Sequence, residues 1–257
     1  MEATAKHSLE SITHLKRWTD KLFSFRLTRQ PGFRFIPGQF VRLGLEREDG
    51  QLVWRPYSMV SAAYDDYLEF YSIVVPGGEF TSRLAQRKVG DTVLVDRTCY
   101  GFLTAERLES GGDLWFLATG TGLAPFISIL HDPRVWESHD HLILAHSTRI
   151  AAELNYQDTL AALEKHPLFG SQAHKLRYLP VVTREAVPGA LSERLTTLID
   201  NGRLEQAAGL ALDPARSRVM VCGNPDMSED CRQRLAARGF SPPRRGQPGT
   251  MVFEHSF

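Results

Sequence analysis

The stretch Thr119-Gly120-Thr121-Gly122-Leu123-Ala124-Pro125 decides how the rest of this chain reads. It follows an apolar run, Leu114-Trp115-Phe116-Leu117-Ala118, and precedes a run of helical character. A buried strand that turns on glycines into a helix leaves backbone N–H groups pointing at the turn, with the positive end of the helix dipole behind them. Such a turn seats a phosphate or pyrophosphate. The dinucleotide fingerprint asks for a third glycine three residues on, where Pro125 stands, so a strand-to-helix turn with no ligand is the alternative on this stretch alone.

Downstream, apolar strands alternate with helical stretches. Leu114 to Ala118 leads to a helix near Pro125 to Leu130, and His141 to His146 to a helix over Ala151 to Glu164. Arg177 to Val182 leads to one over Leu191 to Ile199, and Arg218 to Cys222 to one over Asp226 to Arg238, before a last strand at Met251 to Glu254. This repetition predicts a parallel sheet with helices on both faces. Upstream, from about residue 8 to 105, apolar and polar side chains alternate at period two, most cleanly in Phe23-Ser24-Phe25-Arg26-Leu27-Thr28. Further strands are expected at Gln39 to Leu45, Leu52 to Ser58, Leu68 to Val75 and Thr92 to Asp96, with turns at Pro31-Gly32, Pro37-Gly38, Asp49-Gly50, Pro76-Gly77-Gly78 and Val89-Gly90-Asp91. Short antiparallel strands with one brief helix near Thr81 to Gln86 predict a small closed barrel. The fold class is therefore two-domain: an antiparallel β-barrel over 1–106, then an α/β parallel sheet over 107–257, joined near Leu108-Glu109-Ser110-Gly111-Gly112.

At 257 residues and 42% apolar content the chain can bury a full core. Thirty basic and thirty acidic residues cancel. No global field recruits nucleic acid or an anionic membrane, and a charged docking site must be local. The start, Met1-Glu2-Ala3-Thr4-Ala5-Lys6-His7, lacks the pattern of a secretory signal, and no apolar run approaches the ~20 residues of a membrane span. A cytoplasmic protein is expected. Cys99, Cys222 and Cys231 fit neither a disulfide framework nor a zinc or iron-sulfur site, so reduced thiols and no metal are expected.

Two stretches of the first domain carry chemistry. Arg55-Pro56-Tyr57-Ser58 closes an expected strand and offers a guanidinium for a diphosphate, an aromatic face, and a hydroxyl able to bond a flavin nitrogen. A strand end in which Tyr57 packs and Arg55 is solvated is the alternative. Pro76-Gly77-Gly78-Glu79-Phe80-Thr81-Ser82-Arg83-Leu84 places two glycines and two hydroxyls at a helix start, where Thr81 and Ser82 serve as caps or as phosphate donors.

Arg55-Pro56-Tyr57-Ser58-Met59-Val60-Ser61, Gly77-Gly78-Glu79-Phe80-Thr81-Ser82, Gly120-Thr121-Gly122-Leu123-Ala124-Pro125 and Cys222-Gly223-Asn224-Pro225-Asp226-Met227 occur in the order found in the ferredoxin-NADP(H) reductase family. The chain resembles its compact bacterial branch, also called flavodoxin reductases. The resemblance implies a Greek-key FAD-binding barrel followed by an NADP-binding sheet, with the flavin between them. It implies that Tyr57 stacks on the isoalloxazine, that Ser58 lies near its N5, and that Arg55, Thr81 and Ser82 hold the diphosphate. Pro56, Gly78 and Phe80 complete that site, and Tyr71, Ser72 and Ile73 line the flavin, with a barrel-wall role as the alternative for Tyr71. On the NADP side it implies Thr119, Gly120, Thr121, Gly122, Gly223 and Asp226. Cys222 is implied beside the hydride-donating carbon; a buried small apolar residue is the alternative. With Ser58 and Cys222, Glu254 makes up the implied catalytic set, and Ser256 and Phe257 are implied to close the flavin site, or to form a frayed tail.

An NAD-binding unit places an acid at the end of its second strand to hold the ribose hydroxyls. Here His146-Ser147-Thr148-Arg149 ends that strand, and Val181-Val182-Thr183-Arg184 ends the next. A cation in each place suits a 2'-phosphate, so NADPH is expected over NADH. The resemblance adds Arg194, which lies within an expected helix and has a solvated surface group as its alternative. Function on this reading is hydride exchange between NADPH and FAD, then single-electron transfer to or from a separate ferredoxin or flavodoxin, by a monomer. Lys16, Arg17, Lys21, Arg26, Arg29 and Arg34 stand against Asp20 alone, which could steer an acidic partner or form a solvated strand face. A free flavin or quinone reductase, an FAD relay subunit of a larger electron-transfer complex, and a binding module with no redox role are the rival readings.

Overall fold

The computed structural model describes residues 2–255, in two compact units. One runs to Gly101 and includes Ala124–His131; the other comprises Phe102–Leu123 and the chain from Asp132.

In the first unit six strands, β1 (His7–Arg17), β2 (Leu22–Thr28), β3 (Phe40–Glu46), β4 (Leu52–Ser58), β5 (Tyr67–Ile73) and β6 (Thr92–Tyr100), form one sheet in the order β4-β3-β6-β1-β2-β5. Its pairings are all antiparallel. The out-of-sequence neighbours β3–β6 and β6–β1 make a Greek key. The edge strands β4 and β5 meet through the Met59–Phe70 bridge and a Val60 N–H to Glu69 carbonyl bond of 2.8 Å, which closes the barrel and removes exposed edges. Phe23, Phe25 and Leu27 of β2 point into the core beside Val41, Leu43, Phe70 and Val95. The polar positions between them are not simply wet. Ser24 is covered, accepting from the Trp18 indole at 3.2 Å, and Arg26 bonds Glu69 at 2.7 Å. The helix α1 (Glu79–Ala85) follows the Val75–Gly78 turn, in which Gly78 N–H bonds the Val75 carbonyl at 2.9 Å.

The second unit is a parallel sheet of β7 (Asp113–Thr119), β8 (His141–Thr148), β9 (Leu176–Val182), β10 (Ser217–Gly223) and β11 (Met251–His255), ordered β11-β10-β7-β8-β9. Trp115, Phe116, Leu117, Val219, Met220 and Val221 are essentially inaccessible, as strands covered on both faces require. Each such side chain contributes about 1.5 to 3 kcal/mol on burial. The chain runs from β7 outward to β8 and β9, then crosses back to β10 and β11. The order therefore reverses between β7 and β10, and ligands of open α/β sheets bind at that point, beyond the carboxyl ends of the strands.

Two helical expectations are corrected. The stretch 151–164 is not one helix, because Tyr156 takes a left-handed φ of 64°; a 3-10 turn at Ala151–Glu153 comes before it and α4 (Gln157–Ala162, after α2 and α3 below) begins beyond it. The helix expected from Leu191 begins at Leu195, so Arg194 is the residue that precedes it, in extended conformation, rather than one within it. Two short helices were not expected: Pro133–Ser138, which Asp132 caps by accepting the Arg134 N–H at 3.1 Å, and Arg203–Ala208, bounded by Gly202 and Gly209. With Ala124–Leu130 these complete the set: α2 (Ala124–Leu130), α3 (Pro133–Ser138), α5 (Leu195–Asp200), α6 (Arg203–Ala208) and α7 (Pro225–Ala237). Among the described residues no helix is long and apolar enough to cross a membrane, and no group of His, Cys, Asp and Glu side chains is placed to hold a metal ion.

Candidate active site

The carboxyl ends of β7 and β10 lie side by side, with Cys222 paired to Ala118. Thr119 ends β7, and Gly120, Thr121 and Gly122 continue from it in a 3-10 turn that leads into α2. Two glycines are required here by packing. A Cβ on Gly122 would collide with the Cys222 carbonyl, and one on Gly223 with the Thr119 hydroxyl. Close approach also lets Thr119 Oγ1 accept the Asn224 N–H at 2.8 Å, tying the two strand ends together. Gly120 differs: at φ +53° its Cβ direction is open, so the space beside it is a cradle a side chain would fill and a nucleotide backbone could enter. Asn224 caps α7 through Met227 N–H at 3.1 Å, and Asp226 stands exposed in its first turn.

The two arginines meet. Arg184 N–H donates to the Arg149 carbonyl at 2.9 Å, and Thr183 donates to the Thr148 carbonyl from both N–H (3.0 Å) and hydroxyl (3.1 Å). Both guanidinium stems thus leave from adjacent points on the edge that carries the glycine turn. Arg149 is held by Glu153, to which its Nη2 donates at 2.6 Å, its Nε at 3.3 Å and its backbone N–H at 3.1 Å. Burial raises the Glu153 carboxyl, but the Arg149 hydrogen bonds and charge outweigh it and hold the pKa below its ordinary value. Arg194 is exposed at the start of α5.

Cys222 and Glu254 are register partners on β10 and β11. Burial, then the Glu254 charge, pushes the Cys222 thiol well above its ordinary value, so it is a neutral group of small volume. Ser256 and Phe257 lie outside the described residues.

In the first unit β4 presents Arg55 exposed, with Pro56, Tyr57 and Ser58 half-buried. The Tyr57 ring meets Phe25 and Phe70 edge-on at 6.2 and 6.1 Å, and its hydroxyl bonds Ser72 Oγ at 2.8 Å. Burial raises its phenol to about 12, so it stays protonated. Ser72 and Tyr71 are buried on β5, and Ile73 is half-buried at its end. Arg55 spends Nη1 on the Trp54 carbonyl at 2.8 Å. Thr81 Oγ1 accepts the Val75 N–H at 3.1 Å, which staples the turn to α1 and leaves its own proton to donate, while Ser82 is half-buried one residue on. Gly77, at φ +71°, has open space in its Cβ direction, whereas a Cβ on Gly78 would press on Thr81 and Val75. An exposed guanidinium, two hydroxyls and a glycine-open turn form a donor set that suits a diphosphate. Phe80 goes into the barrel core, 5.7 Å from Tyr57, so it can meet a ligand only through its backbone.

Sequence reasoning passed over His146 and Glu153. His146 is fully buried on β8, and its Nε2 lies 3.1 Å from the Gly120 carbonyl. A histidine directly after the apolar run Leu142–Ala145 was the available signal; the four-residue spacing from Arg149 was the signal for Glu153.

Residues 7–101 match the oxidoreductase FAD-binding domain, and residues 116–233 the oxidoreductase NAD-binding domain. The chain is 42% identical over 252 residues to the ferredoxin–NADP reductase of Pseudomonas aeruginosa, covering 96% of each protein. It is 40% identical over 245 residues to the flavodoxin/ferredoxin–NADP reductase of Escherichia coli, covering 95% of this chain and 96% of that protein. Its fold is similar to a solved ferredoxin NADP+ reductase from Neisseria gonorrhoeae with bound FAD and NADP, at a TM-score of 0.91 and 40% identity over 99% of this chain and 100% of that one. A glycine turn at the switch point, an arginine pair on its edge and relatives of this identity over nearly the whole length have one common account: the chain belongs to the ferredoxin–NADP reductase family.

Proposed function

We propose that this chain exchanges hydride between NADP(H) and FAD and passes electrons one at a time to or from ferredoxin or flavodoxin. FAD is held at Arg55, Tyr57, Ser58, Thr81 and Ser82, and NADP(H) at Gly120, Thr121, Gly122, Arg149 and Arg184. The observation that carries this reading is the backbone-joined pair Arg149 and Arg184, with Arg149 at the strand end where an NAD-binding unit would carry an acid. The chemistry FAD supplies when bound is conversion between two-electron and one-electron transfer, which nicotinamide lacks.

The chain's own residues orient and exclude. Ser72 fixes the Tyr57 ring, and the phenol holds its proton throughout the working pH range. Ser58 offers a hydroxyl to a ring nitrogen. Cys222, neutral and buried, fills a small volume without offering a competing nucleophile, beside the carboxylate of Glu254. Arg149 and Arg184 neutralise the 2'-phosphate.

The partner is a separate acidic carrier, met by a monomer in the cytoplasm. Of the basic run, Arg26 is committed to Glu69, and Arg29 donates to the Phe33, Ala63 and Asp65 carbonyls, with no acidic partner in those bonds. Lys16 (over the Trp18 ring), Lys21 and Arg34 stay exposed and can act by long-range steering.

The test is the visible spectrum of the purified protein before and after anaerobic NADPH, followed by turnover with ferredoxin, flavodoxin and free FMN over a salt series. Flavin bands that bleach, and protein-acceptor turnover that falls steeply with salt, are expected. A colourless protein that takes up no FAD, or NADH used as well as NADPH, rejects the reading. Turnover with free FMN alone replaces the protein acceptor by a diffusing one.

A further inference from the structure

We infer that His146 is a positioning residue for the glycine turn: its Nε2–H holds the Gly120 carbonyl inward and so aims the Thr121 N–H outward, at the pyrophosphate of the nucleotide. The inference rests on the reading that this turn binds NADP(H).

His146 lies near the end of β8, paired in register with Ala118 of β7, and its imidazole reaches sideways under the turn. The contact is 3.1 Å from Nε2 to the Gly120 oxygen. A carbonyl can only accept, so the proton sits on Nε2. Burial lowers the ring's pKa to about 4, which keeps it neutral with that one proton. Among the described residues Nδ1 finds no hydrogen-bond partner. Leaving a buried polar atom unpaired is costly, and the neighbouring inaccessible positions of β8 are Leu142, Ile143, Leu144 and Ala145. An aliphatic residue at 146 would avoid that cost. What it would lose is the bond to Gly120.

The bond matters because of where it is made. The peptide joining Gly120 to Thr121 is trans, so its C=O and N–H point in opposite directions. A carbonyl pinned toward the buried imidazole leaves the Thr121 N–H pointing away from the sheet interior. Gly120, at φ +53° with open space beside it, is free to rotate in a way other residues are not. Without the pin this peptide plane is held only by the 3-10 turn that Gly120 opens, and it can tilt the Thr121 N–H off the pyrophosphate. His146 therefore acts on the pyrophosphate side of the nucleotide, whereas Arg149 and Arg184 act on the 2'-phosphate.

Calorimetric titration of the FAD-loaded protein with NADP+ and with adenosine 2'-phosphate, which carries no pyrophosphate, tests this. His146→Leu is expected to weaken NADP+ about tenfold, the worth of one oriented hydrogen bond. His146→Gln, whose amide nitrogen can reach the same carbonyl, is expected to stay within about threefold of the unmodified protein. Adenosine 2'-phosphate binding is expected to be unchanged in both. Unaltered NADP+ affinity in His146→Leu overturns the inference, and so does an equal loss with adenosine 2'-phosphate, which would mark general damage to the sheet edge. Should His146→Leu fail to fold, His146→Met, a more adaptable side chain that cannot donate, replaces it under the same criteria. Gly120→Val separates the layers: if it weakens NADP+ while His146→Leu does not, only the positioning role falls. If Gly120→Val also leaves NADP+ binding intact, the assignment of the turn falls with it.

Discussion

Removing Arg149 does two things at once. It deletes a cation from the proposed 2'-phosphate site, and it strips Glu153 of the guanidinium that neutralises it. The side chains are 48% and 13% exposed, so the pair is partly hydrated and stabilises the fold by no more than about 1 kcal/mol; Arg149→Ala should fold. A hydrogen bond to a charged group contributes about 1.5 to 3 kcal/mol. An uncovered carboxylate adds repulsion on the order of 1 kcal/mol at contact distance in water. NADPH should therefore lose about 2.5 to 4 kcal/mol in kcat/KM, roughly sixty- to seven-hundredfold, while NADH should change by less than about threefold. Arg149→Ala combined with Glu153→Gln should recover the repulsive share, about fivefold, because the carboxylate charge is gone while the side-chain shape remains. Steady-state rates with both nucleotides and ferricyanide as acceptor measure this. Equal loss with NADPH and NADH, or no recovery in the double variant, refutes the reasoning.

The opposite edge of the same sheet makes a contrasting case. Asp113 opens β7 with its side chain 1% exposed, bonded to Arg216 at 3.0 Å and to His141 at 2.7 Å. Asp113→Ala should lower stability by about 1 to 3 kcal/mol in denaturant titration while leaving NADP+ affinity unchanged, because it lies at the amino ends of the strands. For His146 the pH dependence has a defined sign. Its folded value of about 4 lies below the ordinary 6.5, so the unfolded chain binds the extra proton first. The stability it contributes is complete above pH 6.5 and is lost as pH falls toward 4, on the order of 3 kcal/mol. Unfolding curves of His146→Leu should accordingly show a shallower loss over that window than the unmodified protein, and parallel curves would disprove the burial effect.

Much of the architecture was legible because two periodicities differ. Phe23, Phe25 and Leu27 announce a one-sided strand, and Trp115, Phe116 and Leu117 a strand buried on both faces. Signals for the missed helices were present: Asp132 before Pro133 is a capping residue before a first-turn proline, and Gly202 and Gly209 bracket six residues. The break at Tyr156 had no such signal. The stretch 151–164 holds neither proline nor glycine, and a buried tyrosine in left-handed conformation follows from its surroundings rather than from local preference.

By itself the sequence determined the two fold classes, the glycine turn and the presence of arginines where a strand ends, because hydrophobic period and backbone freedom are properties of neighbours along the chain. Only the tertiary structure decided the rest. It joined Arg184 to Arg149 through a backbone bond, gave Arg26 to Glu69 on the adjacent strand, set Cys222 beside Glu254, and brought His146 under Gly120. Each of these pairs depends on strand register, and register is set by burial of the whole sheet, which no short segment contains.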